Sequence, residues 1–341
     1  MAQALNLSNL ASDLNGYFRQ FKQGLKSEVQ YGFVGESGPM SMETRSTLIP
    51  GVVDELILGN VQAGDFLRQF NPTDTNTFIP VANTVNVGSR TLQMRKFKGD
   101  LLFLDDRLNT TFLMWQAKME AINQGKSAEK EMSFIEYLFM NVIIKSALRS
   151  IRKASFQSVF SANGAGWTSG SPLYGSANIL DGMEKLITTE INAGTITPHV
   201  YNASNNVVTE VEAAFLTLTS EQRRADNLVV LLREDIYNKW ITANRSSSGL
   251  GRMFTFNSTD QLTIDGYPNT TVLPDPDLST YKAVIYQKEN YFISVSMEGQ
   301  EASDWEFQRL DRTTKCMLNG EIGCQFETVN PGNFVNVAVM S

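Results

Sequence analysis

Residues 133–164, SFIEYLFMNVIIKSALRSIRKASFQSVFSANG, contain no proline, and their only glycine is the last residue. Ser133-Phe-Ile-Glu136 has the form of a capping box, in which the serine accepts from an early backbone N–H and the glutamate reaches back to the cap. Asn163-Gly164 suits the left-handed turn that closes a helix. The stretch predicts one helix over 134–162, a rod of about 43 Å at 1.5 Å per residue. The mean globular helix has only about 11–12 residues. Whatever this chain folds into must be built around that rod.

Its side chains say how. A membrane span needs about 20 predominantly apolar residues, and Glu136, Asn141, Lys145, Arg149, Arg152 and Lys153 interrupt the run. A coiled coil needs a sustained apolar seam. Here Phe134, Ile135, Tyr137, Leu138, Phe139, Met140, Val142, Ile143 and Ile144 surround the first half instead. The second half is one-sided, with Lys145, Arg149, Arg152 and Lys153 opposite Ile144, Ala147, Leu148 and Ile151. The rod is expected to be buried all round at its start and wet or partner-facing on one side thereafter.

The elements around it differ in texture. Residues 1–45 read as an arm, with Leu7, Leu10, Leu14, Phe18, Phe21 and Leu25 at helical spacing. That stripe packs either on its own protein or on a neighbour. It is followed by GFVGESGPMSMETRS, a poor core former. From Thr47 to Phe112 the pattern is β. Arg90 to Phe103 reads as one long strand with Arg90, Gln93, Arg95, Lys96, Lys98 and Asp100 spread through it. Strands with so little apolar alternation bury no ordinary core face, so a two-stranded arm projecting from the body is expected. After the rod come a helix over 178–192 closing near Gly194, a helix starting at the capping box Thr209-Glu-Val-Glu212 and running to about Arg224, a buried strand LVVLL (228–232), and a helix over 234–244. Strand candidates follow at 252–256, 262–264 and 271–273. From Lys282 the chain is nearly all β.

A chain of 341 residues would ordinarily form two or more units. Its net charge of −7 argues against a dedicated nucleic-acid binder while leaving room for a local basic patch. The first residues lack a basic start and an apolar core, so no signal peptide is expected and synthesis in the cytoplasm is. Cys316 and Cys324 lack metal-finger spacing and read as buried thiols. The single histidine, His199, has no neighbouring ligand or nucleophile and reads as a loop residue. Gly164-Ala-Gly-Trp-Thr-Ser-Gly lacks the phosphate-loop pattern. Asp105-Asp106 and Asp275-Pro-Asp277 read as turn residues that accept backbone hydrogen bonds. No catalytic, cofactor-binding or metal-binding residues emerge. The sequence reads as a structural protein and not an enzyme.

An arm, a projecting β loop with basic residues, a very long helix, an α/β unit and returning strands follow one another here. This order resembles the major capsid protein of tailed bacteriophages, the Hong Kong 97-type capsid fold. The stretches that carry the resemblance are RSTLIPGVVDELILG, RTLQMRKFKGDLLF, SFIEYLFMNVIIKSALRSIRKASFQSVF, ILDGMEKLI and VEAAFLTLTSEQRRADNLVVLLREDIYNKW. The last two look like stretches in capsid proteins of Bacteroidetes phages and prophages.

The resemblance implies an α+β fold in six parts. These are an N-terminal arm (1–45), a peripheral-domain segment (46–71), an extended loop (72–112), the peripheral domain with its spine helix (113–175), an axial domain (176–276) and peripheral-domain return strands (277–341). It implies an icosahedral shell of pentamers and hexamers in the virion, assembled in the host cytoplasm around double-stranded DNA held by non-specific contact, with no cofactor and no membrane. Portal and head-completion proteins are the implied partners, together with a separate scaffolding or decoration protein or none, since 45 residues ahead of the body are too few for a large scaffolding segment. Arg90, Arg95, Lys96 and Lys98 on the extended loop, and Leu7, Leu10, Leu14, Phe21 and Leu25 on the arm, are the expected assembly contacts. In an acidic chain a neighbour would offer carboxylates to the basic strand. An encapsulin-like cellular compartment shell and an enzyme with a dispersed active site are the alternatives.

Overall fold

The computed structural model describes residues 12–14, 16, 42–63, 85–104, 107–108, 110–115, 134–160, 178–246, 262–296, 306–310, 313–329 and 337–341. In chain order the first elements are α1 (Met42–Arg45), β1 (Thr47–Leu48), β2 (Glu55–Ala63), β3 (Val85–Gln93) and β4 (Arg95–Leu104). The rod follows as α2, residues 134–157. It is α-helical at Phe134–Tyr137, π-helical at Leu138–Ile144 and α-helical again at Lys145–Gln157. Leu138, Ile143 and Ile144 are buried at its start, and Ile151, Ala154, Ser155 and Phe156 toward its end.

The rod stops five residues before the expected end. Ser158 turns to extended backbone because the next segment recruits it. Its hydroxyl accepts from the N–H groups of Ile179 (2.9 Å) and Leu180 (3.1 Å), and its carbonyl from Gly182 N–H (2.8 Å). Gly182 permits the approach, since a Cβ there would lie 2.7 Å from the Ala154 carbonyl oxygen. The same contacts hold 178–182 out of helix. α3 therefore spans Met183–Asn192, and it closes at Gly194 (φ +77°) as expected.

α4 (Val207–Leu216) is capped by Asn206, whose side chain accepts from Val208 N–H at 3.0 Å. The expected cap at Thr209 is not used: Thr209 donates to the Asn206 carbonyl instead. Beyond Leu216 only a short 3-10 turn, Gln222–Arg224, continues toward β5 (Leu228–Arg233) and α5 (Glu234–Ser246). The remaining strands are β6 (Thr270–Asp275), β7 (Ala283–Gln287), β8 (Tyr291–Ser296), β9 (Glu306–Leu310), β10 (Thr313–Phe326) and β11 (Ala338–Met340). The expected strand at 252–256 lies outside the described residues.

Among the described residues these strands make two sheets and a ribbon. In the first sheet, β10 has β4 along one side from Thr313 to Ile322. Its other side takes β9 first and then β8, and β1 lies parallel to β8. The second sheet has the order β11-β7-β5-β6, so β7 and β11, expected among the peripheral return strands, belong to the α/β unit instead. The cause is parity. Along β5, Val229 and Leu231 face the core of α2 and α3, while Leu228, Val230 and Leu232 face the core of α4 and α5. β7 divides the same way, with Val284 and Tyr286 on one side and Ala283 and Ile285 on the other. Strands buried on both faces read as continuous apolar runs, and nothing in such a run names the neighbour.

A buried ion pair ties α1 to the end of β6. Arg45, read as part of a poor core former, is fully buried, as is Asp275 at the end of β6. Arg45 Nη1 lies 2.5 Å from Asp275 Oδ2, and Nη2 donates to the Pro274 carbonyl at 2.8 Å. Tyr286 Oη donates to the Arg45 carbonyl at 2.7 Å. Burial pushes the Asp275 carboxyl up to about 6, against the pull of the guanidinium. Two residues on, Asp277 receives Arg152 Nε of α2 at 2.6 Å, and its N–H donates to Asp275. Asp275-Pro-Asp277 makes the expected turn hydrogen bond and also ties α1 and α2 to the second sheet.

Removing one partner of a buried pair costs about 3–5 kcal/mol. Asp275→Asn leaves a guanidinium that cannot lose its proton, whereas Arg45→Met leaves a carboxyl that can gain one. In urea denaturation of the unassembled chain, Asp275→Asn should fall in that range and Arg45→Met should cost less. Two losses under about 1 kcal/mol would show that the pair does not hold this junction.

Candidate assembly surfaces

β2 and β3 pair from Glu55↔Gln93 to Ala63↔Val85 as a two-stranded ribbon, so one of its strands comes from the 46–71 segment and not from the expected loop over 72–112. The expected single strand over 90–103 is broken at Met94. β3 belongs to the ribbon, and β4 lies at an edge of the first sheet. Its alternation is the reason: Phe97, Leu101 and Phe103 turn inward onto the core, while Lys96, Lys98, Asp100, Leu102 and Leu104 face out.

The root of the ribbon is fastened on one face. Leu58 and Leu92 are buried with Val52, against Ile49, Leu56, Met94 and Phe292. Gly323 of β10 lets the chain cross here, because a Cβ would come within 2.6 Å of the Gln93 carbonyl oxygen. Arg90 reaches back to Glu190 of α3 at 2.8 Å, and Gln325 donates to the Thr91 carbonyl at 3.1 Å. On the opposite face Ile57 and Val87 are 67% and 70% exposed. They are large apolar groups facing water on a two-stranded element, which is marginal alone.

The basic residues expected at an interface are not brought together. Arg90 stands on β3 and is half-buried on Glu190. Arg95 donates to Gln93 Oε1 at 2.6 Å and lies over the Phe160 ring, 4.0 Å from its centroid. Lys96 sits opposite Glu321 in the β4–β10 register, 3.9 Å away, and Lys98 is 3.2 Å from Asp100. Each thus has a partner within its own chain, where the acidic composition suggested one on a neighbour. Exposed pairs contribute only about 0–1 kcal/mol, and Lys96 and Lys98 remain 81% and 62% exposed on their side chains. Of the arm stripe, Leu14 is fully buried in the core around α2. Leu7, Leu10, Phe21 and Leu25 lie outside the described residues.

A third surface is the far edge of the second sheet. His199 bridges to Met340 in parallel and extends the sheet by a short edge, with Val200 exposed. His199 Nε2 lies 2.9 Å from Glu210 Oε2, a pairing the sequence did not reveal because Glu210 read as the interior of a capping box. The same carboxylate accepts from Asn202 N–H (3.0 Å) and Asn205 Nδ2 (2.6 Å). These bonds, led by Asn205 and then Asn202 and His199, hold Glu210 below the usual carboxylate range. The set orders a loop, and every oxygen of Glu210 is engaged in doing so. Cys316 and Cys324 are buried free thiols, each pushed up to about 12 by burial. Among the described residues no three His, Cys, Asp or Glu side chains form a metal-ligand set, and no helix is long and apolar enough to cross a membrane.

No protein-family model and no curated protein matches the sequence. Solved structures do match in fold. Against a chain of the satellite phage P4 procapsid that includes the size determination (Sid) protein, the TM-score is 0.55 at 11% identity. That match covers 95% of this chain and 98% of the other. Gordonia phage Cozz gives 0.48 at 14% identity, covering 88% and 85%, and Microbacterium phage Oxtober96 gives 0.47 at 8%, covering 88% and 90%.

The Glu210 cluster has a pH signature. A carboxyl held below its unfolded value of about 4.3 adds stability that is fully present above that value. This stability is lost as pH falls through the lower folded value. Denaturation midpoints of the native chain and Glu210→Gln should therefore differ by a constant amount near neutral pH and converge on acidification below about pH 4.3. Parallel curves down to the acid limit would mean that the cluster does not bind the ionised form preferentially.

Proposed function

The chain has the α+β Hong Kong 97-type capsid fold, and on that premise we propose that it is the major capsid protein of a tailed bacteriophage. In this reading it has a structural, non-enzymatic role: copies assemble into pentamers and hexamers of an icosahedral shell around the genome. The single observation that carries the reading is the match to the P4 procapsid chain, which runs through nearly the whole of both chains.

The surfaces fit this reading. A ribbon fastened at its root, with Ile57 and Val87 bare on its outer face, is an element that completes its burial on another copy. In the proposed arrangement it is the extended loop, carried by β2 and β3, while Lys96 and Lys98 on β4 lie beside its root and meet the neighbour it crosses. The arm stripe Leu7, Leu10, Phe21 and Leu25 continues from Leu14 onto the shell's inner side or an adjacent subunit. Portal, head-completion and scaffolding or decoration proteins are the further partners of such a shell, which is built in the host cytoplasm and carried in the virion.

Electron microscopy of the expressed chain tests the proposal. Closed particles with five-fold and six-fold clusters, holding DNA when made with the phage's packaging machinery, are expected. A protein that stays monomeric under all conditions, phage partners included, would falsify it. Particles that enclose a cellular enzyme would establish a compartment shell instead. Lys96→Glu with Lys98→Glu should leave the melting curve of the monomer unchanged and lower the yield of particles. Milder neutral changes at these sites should make assembly more sensitive to salt. Normal particles from the charge-reversed chain would place both lysines outside the interface.

A further inference from the structure

β4 runs for ten residues, RKFKGDLLFL, along the first sheet. Among the described residues β10 is its strand partner on one side, and its other side is an open sheet edge. Such an edge presents backbone N–H and C=O groups to any strand that can align with it. Phe97, Leu101 and Phe103 reach the core from this strand and yet stay half-buried, and Leu102 on the outward face is 57% exposed. Gly99 stands in the middle of the strand. A glycine inside a strand packs no side chain and often marks the close approach of another backbone.

The sequence around Gly99 is complementary to itself. Lys98 and Asp100 flank the glycine with opposite charges, and both face outward. In an antiparallel pair, directly opposite residues point to the same face, with Cβ atoms about 4.5–5.5 Å apart. Two copies of β4 paired about Gly99 therefore set Lys98 against Asp100 twice and the half-buried Phe97 against Leu101 twice. The same register lays the Lys96 stem on the exposed Leu102 of the other copy. Centring the pair on Lys98 or on Asp100 instead sets like charges directly opposite each other, which is destabilising. A slip by one residue turns the outward row of one copy onto the core side of the other. Within one chain Lys98 Nζ lies 3.2 Å from Asp100 Oδ2, with the side chains 62% and 53% exposed. An exposed pair of that kind contributes only about 0–1 kcal/mol, so it yields readily to two pairs between copies.

We propose that β4 pairs antiparallel with β4 of a second copy across a two-fold axis at Gly99, which joins the first sheets of two subunits into one. The carboxylate that Lys98 meets on a neighbour is then Asp100. This contact is isologous, whereas the contacts that close five- and six-membered rings are head-to-tail. On the shell reading it therefore links one ring to the next, and the inference rests on that reading for this role alone. The pairing itself is a property of two folded chains and can be measured before any shell forms.

The test is sedimentation velocity of the purified, unassembled full chain over a range of concentrations. The native chain should show a monomer–dimer equilibrium. Lys98→Glu and Asp100→Lys, each alone, set like charges opposite each other and should sediment as monomers. An equal mixture of the two variants should recover the dimer, because each copy then offers the other the opposite charge. Both variants lack the Lys98–Asp100 pair within their own chain, and mixing does not repair it, so recovery reads a contact between chains. The register is read by mixing a Lys98→Cys chain with an Asp100→Cys chain under the oxidant diamide. A mixed disulfide dimer should form, while Cys316 and Cys324 stay buried, and the crosslink reads dimers and particles alike. A native chain that is monomeric at every concentration, a mixture no more dimeric than its parts, or no mixed disulfide overturns the proposal. The shell reading is scored separately by microscopy. Charge-rescued dimers without particles leave the pairing standing and sink the shell reading, and particles without rescue or crosslink do the reverse.

Discussion

The loop from Asp275 to Tyr281 is the constraint on which the rest of the structure depends. It receives Arg45 from α1, Arg152 from α2 and Glu184 from α3, so three helices are referred to seven consecutive residues of one loop. Glu184 accepts from Ser279 N–H, Ser279 Oγ and Thr280 N–H at 2.6–2.7 Å and sits in the first turn of its helix. There the helix dipole also favours a negative charge. Each of these ions is buried or half-buried, and each would be expensive to leave unpaired. Apolar packing would tolerate small slides between the two sheets. Directed charge pairs with hydrogen-bond geometry do not, and Arg45 is fixed at the start of β1, which lies beside β8.

The elements that were legible in the sequence are those whose cause is local. The rod follows from its apolar coverage and the absence of Pro and Gly, LVVLL from its unbroken β-branched and leucine run, and the turn at Gly194 from glycine's freedom at positive φ. What escaped was set by contacts distant in sequence. The rod ends at Gln157 because residues 178–182 capture Ser158, and Ser158-Val-Phe-Ser161 carries no stop signal of its own. Met42 and Arg45 occur in a polar, glycine-rich context, yet both are buried because Asp275 and the Tyr286 hydroxyl wait some 230–240 residues on. β7 and β11 look like any other apolar strands, and only the parity of β5 decides which sheet they join.

The same distinction applies to the candidate surfaces. Basic residues between 90 and 98 were visible as a cluster, but a strand's two faces separate neighbours in sequence. Arg95 is engaged over Phe160, Arg90 crosses to α3, and only Lys96 and Lys98 face outward. The basic stripe of the rod changes for the same reason, since Arg152 leaves it for Asp277. A partner strand or a buried acid, invisible in one sequence, decides which members of a charge cluster remain available.

On the shell reading, affinity and register come from different groups. Ile57 and Val87 supply apolar area, worth at most about 1.5–3 kcal/mol per large side chain fully buried. Much of this is offset by the lost freedom of the associating subunits. Contacts of that size are individually reversible, so a misplaced subunit can leave, and only the closed arrangement that satisfies many at once persists. Bare apolar groups also invite wrong partners, and among the described residues β4 is a sheet edge, whose backbone could accept another strand. Lys96 and Lys98 project from that edge. Charged side chains there oppose indiscriminate strand addition, and the same two charges steer a neighbour whose carboxylates meet them. Because Glu321 and Asp100 hold them only weakly in the free chain, exchanging these partners for a neighbour's costs little.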